Sequence, residues 1–150
     1  MRQIAIIEGS QIVELDDLSV TYTAKAAIDG DGTGSSHGDP DFQNTTSLRH
    51  ADGSSLNSDI DKGIVVPPAI IEGVRGIVLG CKARVSYRGL TVDAVVYDVG
   101  PHEKLGEISI ATAKALNIPS SPLDGGVDYG VHYTLWPGVA AEGYQLQKSA

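Results

Sequence analysis

Cysteine is nearly absent: Cys81 is the only one in 150 residues. No intramolecular disulfide can form, and cysteine-based zinc sites are excluded. Cys81 lies within 77–85, a run that reads as strand, which predicts a buried, inert thiol rather than a nucleophile. Basic residues are also few, 11 Lys+Arg against 19 Asp+Glu, for a formal charge of −8. A nucleic-acid partner requires a basic face to meet phosphate, so none is expected. Long apolar runs are missing. The stretch Ile4-Ala5-Ile6-Ile7 is too short for a signal peptide, and the most apolar later stretch, 64–71, is broken by Pro67-Pro68, so neither a membrane-spanning helix nor a membrane partner is expected. His37, His50, His102 and His132 include no His-x-x-x-His pair, and no metal is expected. A Gly-x-Ser-x-Gly elbow is absent, which counts against an α/β-hydrolase.

What is present is a chain of ordinary hydrophobic content, 41%, long enough to bury a core as one domain over residues 1–150. Partial period-two alternation through Val13, Leu15, Val20, Tyr22 and Ala24 predicts strand. Ile64-Val65-Val66 is a short β-branched run ended by Pro67-Pro68. Residues 77–87 and 90–97 form two further strand candidates joined by a tight turn at Arg88-Gly89. In the second, both faces become apolar toward the end, as in a buried barrel or sheet strand. Ile108, Ala111, Ala115 and Leu116 recur at helical spacing, which predicts one helix of about ten residues over 107–116, opened by Glu107 and ended by Asn117 and Pro119. Val127, Tyr129, Val131, Tyr133 and Leu135 alternate cleanly and predict a closing strand with Tyr129 and Tyr133 in the core. Trp136-Pro137-Gly138 reads as a turn, followed by a short last strand around 144–146. The expected fold is mainly β, with one helix and a long Asp/Gly-rich loop region. From Asp29 to Gly63 there are seven Asp and six Gly against one Arg and one Lys. A structureless loop of that length is unusual in a compact domain, so it holds short elements or serves as a functional wall.

The residues suited to chemistry cluster after the second long strand. Asp98 follows an apolar run, Gly100-Pro101 forces a turn, and Glu107 comes nine residues later. A short loop keeps the two carboxylates close, as acid–base work requires, with one carboxyl protonated and the other ionised. The same residues also suit a helix N-terminus and a turn cap. Asp29-Gly30-Asp31-Gly32-Thr33-Gly34 resembles a calcium loop superficially, but its twelfth position is Pro40, which rejects an EF-hand. The segment is read as a turn-rich loop or as a negative wall facing substrate, with Asp29, Asp31, Asp39 and Asp41 as the wall; a Ca²⁺ site of a different kind is a further alternative. His102, between the two carboxylates, and His132, on the other side of the closing strand, are added as substrate contacts.

The stretch from Asp98-Val99-Gly100-Pro101-His102-Glu103 through Lys104-Leu105-Gly106-Glu107 to Ile108-Ser109-Ile110-Ala111 resembles the signature of glycoside hydrolase family 75, the fungal-type endo-chitosanases. Ala27-Ile28-Asp29-Gly30-Asp31-Gly32, Ile64-Val65-Val66-Pro67-Pro68 and the segment from Gly125 to Gly138 resemble weaker motifs of that family. The resemblance implies an enzyme that hydrolyses β-1,4 bonds of chitosan with inversion, without cofactor. It carries the family's catalytic pair onto Asp98 and Glu107, with Glu107 assigned as general acid and Asp98 as general base. It also implies a β-barrel of double-psi type. Family members of this kind are secreted, so action outside the producing cell is expected, and a monomer is the expected state. The competing expectations are a non-catalytic carbohydrate-binding or virion-associated module on the same fold, and hydrolysis of another polysaccharide.

Overall fold

The structure, a computed structural model, describes residues 1–31, 47–100 and 103–147. Asp39, Asp41 and His102 lie outside the described residues. The chain runs through β1 (Arg2–Ile7), β2 (Ser10–Glu14), β3 (Val20–Asp29), β4 (Gly63–Val66), α1 (Pro68–Gly73), β5 (Cys81–Tyr87), β6 (Leu90–Val99), β7 (Glu107–Ser109), α2 (Ile110–Ala115) and β8 (Val127–Ala140). Six strands close into a barrel in the order β3-β7-β4-β6-β5-β8, with β8 pairing back onto β3. The β3–β7 and β4–β6 pairs are parallel and the rest of the ring is antiparallel. The β1–β2 hairpin extends the sheet alongside the start of β3. Closure leaves the ring strands no free edge, which suits short strands with few charged gatekeepers.

The core follows from strand alternation. Val20, Tyr22, Ala24 and Ala26 of β3 face inward, as do Cys81, Ala83 and Val85 of β5 and Val131, Tyr133 and Leu135 of β8. Tyr22 and Tyr133 stack at 4.9 Å between ring centroids, and the alanines around them leave room for two large rings in a narrow barrel. Cys81 is buried as expected. In β6, Ala94, Val95, Val96 and Tyr97 are all buried, which explains the loss of alternation at that strand's end.

Several expectations are corrected. The helix is shorter than the 107–116 span and does not begin at Glu107. Residues 107–109 are strand β7, and Ser109, extended at φ −70° and ψ 162°, caps α2 by accepting from the Thr112 amide. Among the described residues there are two short helices rather than one: Pro68 occupies the first turn of α1, where its missing N–H costs nothing. Tyr129 is not core. Ala24 pairs with Val131 and Ala26 with Val127, so Asp128, Tyr129 and Gly130 all stand opposite Lys25, and this bulge turns Tyr129 outward to 69% exposure. Trp136-Pro137-Gly138 does not end the strand. β8 continues to Ala140, with Pro137 in the irregular register between the Leu135 and Ala140 pairings, where a missing donor is tolerated. Residues 144–146 form no strand.

Candidate active site

Strand register brings Asp98 and Glu107 together. Val65 of β4 pairs with Asp98 of β6 on one side and with Glu107 of β7 on the other. Residues paired across neighbouring strands point to the same face, so Asp98, Val65 and Glu107 form one row. Two local features make the row possible. In the β4–β6 pairing, Ile64 meets Val96 and Val65 meets Asp98, so Tyr97 is the extra residue of a bulge. Without it, Tyr97 would stand opposite Val65 and Asp98 would point away. The displaced Tyr97 is fully buried against Gly63, where a Cβ would come within 2.5 Å of its ring. On the other side, Gly106 has φ +89°, and a Cβ there would meet the Lys25 carbonyl oxygen at 2.1 Å. Gly106 thus lets the chain enter β7 close to β3, where Ala27 pairs with Glu107. The Glu8 carboxylate accepts from the Leu105 amide at 2.6 Å and ties the same approach to the β1–β2 turn.

Asp98 and Glu107 share a cavity of about 160 Å³ with Asp29, Asp31, Ser47 and Val65. Among the described residues, larger clefts of about 580, 550 and 270 Å³ lie elsewhere on the surface, but none gathers a comparable set of carboxylates. Convergent titratable groups, rather than volume, single out this smaller cavity as the candidate site. Asp29 and Asp98 are buried, 5% and 8% exposed, and Glu107 is half-buried. One side-chain oxygen each from Asp29, Asp31 and Asp98 falls within 4.8 Å of the others. Hard cations use such oxygen sets. Tyr97 and Ser47 each engage one oxygen of this group, Asp29 Oδ2 and Asp98 Oδ1, so the carboxylates are held in place by hydroxyl donors.

Burial pushes the pKa of Asp98 upward against the opposing donors Ser47 and Val99. Asp29 is likewise pushed upward, first by burial, then by the Asp98 charge, against donors from Tyr97 and the Asp31 amide. The Tyr97 hydroxyl is driven well above its ordinary value by burial and by Asp29, so it stays a neutral donor.

Among the expected substrate contacts, Asp29 and Asp31 are in the cavity. Asp29, however, is buried rather than part of an exposed wall, because Tyr97 draws its carboxyl inward. His132 is not brought to the cavity. It stands exposed on β8, its Nδ1 2.8 Å from Thr23 Oγ1, and Thr23 lies about 13 Å along β3 from Ala27. Ser47 and Tyr97 also belong to the candidate site, and sequence reasoning misses both. Tyr97 carried a weak signal as the residue beside Asp98 in an all-buried run. Ser47 carried none, being 51 residues from the carboxylate it binds.

No family model and no curated protein matches the chain. Among solved structures, one described as Streptomyces papain inhibitor (SPI) is similar at 21% identity, with a TM-score of 0.46, over 77% of this chain and 93% of that one. Fold and site together define a single-domain, mainly β protein whose closed six-stranded barrel carries a carboxylate-lined cavity.

Proposed function

We propose that this protein is an endo-acting, inverting glycoside hydrolase that cleaves β-1,4 bonds of chitosan, of the family 75 kind that residues 98–111 resemble. The observation that carries the reading is the placement of Asp98 and Glu107 on either side of Val65. Two strand spacings set their backbones about 9.5 Å apart. An inverting pair holds its carboxyls about 6.5–9.5 Å apart, leaving room for a water between the base and the sugar. Glu107 acts as general acid and protonates the leaving oxygen. Asp98 acts as general base: it takes a proton from the water that attacks the anomeric carbon from the opposite face. Asp31, on the cavity wall, supplies negative charge toward the protonated amines of the substrate. A polymer of that size does not cross membranes, so the site of action is outside the producing cell.

Reducing-end release from chitosan tests the reading, with proton NMR of the first product to report its anomer. Asp98→Asn and Glu107→Gln are each expected to lower kcat about 10³-fold, with folding intact. A double variant that still cleaves would sink the assignment. Chitosan retention by the wild type without cleavage, at high protein concentration and long incubation, would make the domain a binding module.

A further inference from the structure

Three donors converge on one oxygen of Asp98. The Ser47 hydroxyl donates to Oδ1 in a short hydrogen bond, the Val99 amide donates to it at 2.9 Å, and the Ser47 amide donates at 3.3 Å. No donor among the described residues reaches Oδ2. A carboxylate held this way has its rotation fixed and, among the described residues, one oxygen left for other work. Ser47 is followed by a second tether, since the Leu48 amide donates to the Tyr97 carbonyl oxygen at 3.0 Å and the Leu48 side chain is buried. The acidic segment is therefore pinned to β6 beside Asp98, near the strand's end.

We propose that Ser47 is a positioning residue, which fixes Asp98 through Oδ1 so that Oδ2 is the oxygen presented to the attacking water. This rests on the reading of Asp98 as general base. Ser47 itself touches no reacting atom. It acts in two ways. It removes the rotational freedom of the carboxylate, and its hydroxyl favours the ionised form that a base requires, against burial and against the negative groups that face Asp98. Those are Asp29 and Asp31 from the end of β3 and Glu107 from β7. Tyr97 adds a neutral hydroxyl from β6 itself, and Val65 of β4 contributes only an apolar side chain.

The variants are Ser47→Ala, which deletes the hydroxyl, and Ser47→Thr, which keeps it. Ser47→Ala is expected to lower kcat about tenfold with KM unchanged and to move the acidic limb of the pH–rate profile to higher pH; Ser47→Thr restores both. Carbon-13 NMR titration of the Asp98 carboxyl, on full-length protein without substrate, gives a readout independent of turnover. The Asp98 midpoint rises in Ser47→Ala and returns in Ser47→Thr. An unmoved midpoint in a folded Ser47→Ala protein overturns the proposal, as does a KM effect with kcat unchanged. If the midpoint moves while wild type fails to cleave chitosan, Ser47 still positions Asp98, and only the enzymatic reading falls.

Discussion

Asp29 and Asp61 are both buried, 5% and 6% exposed, and each accepts a hydrogen bond from a tyrosine hydroxyl, Asp29 from Tyr97 and Asp61 from Tyr144. Their surroundings differ. Asp61 also accepts the Asn57 amide at 2.7 Å, and its Oδ2 lies 3.3 Å from His50 Nε2. Both of its oxygens are engaged, and its neighbours are donors. It clamps the end of the acidic segment to the C-terminal stretch that carries Tyr144. Asp29 instead faces Asp31 and Asp98 across a cavity, so like charges crowd it. One tyrosine–aspartate contact holds the scaffold together, and the other borders a site. What separates them is the sign of the neighbouring charge and the presence of open volume.

Three outcomes test that contrast. The largest effect is expected at Asp61. Asp61→Ala strands the Asn57 amide and the Tyr144 hydroxyl and costs about 3 kcal/mol, a Tm loss on the order of 10 °C, with kcat unchanged at temperatures where the protein stays folded. A kcat collapse in the folded variant would break the division between scaffold and site. Asp29 comes next and has the opposite sign. Its pKa is raised above the usual 3.8, so the native state keeps a proton that the unfolded chain gives up. That contribution is present below the unfolded pKa and lost as pH rises through the folded one. Asp29→Asn is therefore expected to gain a few degrees in Tm relative to wild type near pH 7, and the gain should vanish below about pH 4. A loss at neutral pH would mean that Asp29, like Asp61, is there to hold the fold. The smallest effect concerns long-range charge. With a net charge of −8, KM for chitosan should rise a few-fold between low and moderate ionic strength, and less in variants with several Asp residues of the acidic segment changed to Asn. A salt-independent KM would return the acidity to a solubilising role.

Much of the site was legible locally. Asp98 after a buried run and Glu107 past a Gly-Pro turn are near in sequence, and a short connection keeps them near in space. The strands of the barrel were legible because alternation in 81–87 and 131–135 records one buried face directly. The boundary of the helix was not. Ile108 and Ala111 fit helical spacing, but pairing to β3 and β4 holds 107–109 extended, and the Ser109 cap starts the helix later. Tyr129 misled for a related reason. Its alternation is regular in sequence, and a bulge opposite Lys25 overrides it.

Sequence alone determined the chemistry available: an acidic, cysteine-poor chain, β-branched strand segments that bury one face, and a carboxylate pair with a motif around it. These are properties of residue type and short spacing, which act before the chain has folded. Tertiary structure decided which of the acids form a site. The bulge at Tyr97 selects Asp98 as the residue opposite Val65, Gly106 admits Glu107 to the same row, and closure of the ring brings Asp29, Asp31 and Ser47 to the cavity while leaving His132 on the outer face. Those outcomes depend on strand register, and register is set by contacts between segments tens of residues apart, which no local pattern encodes.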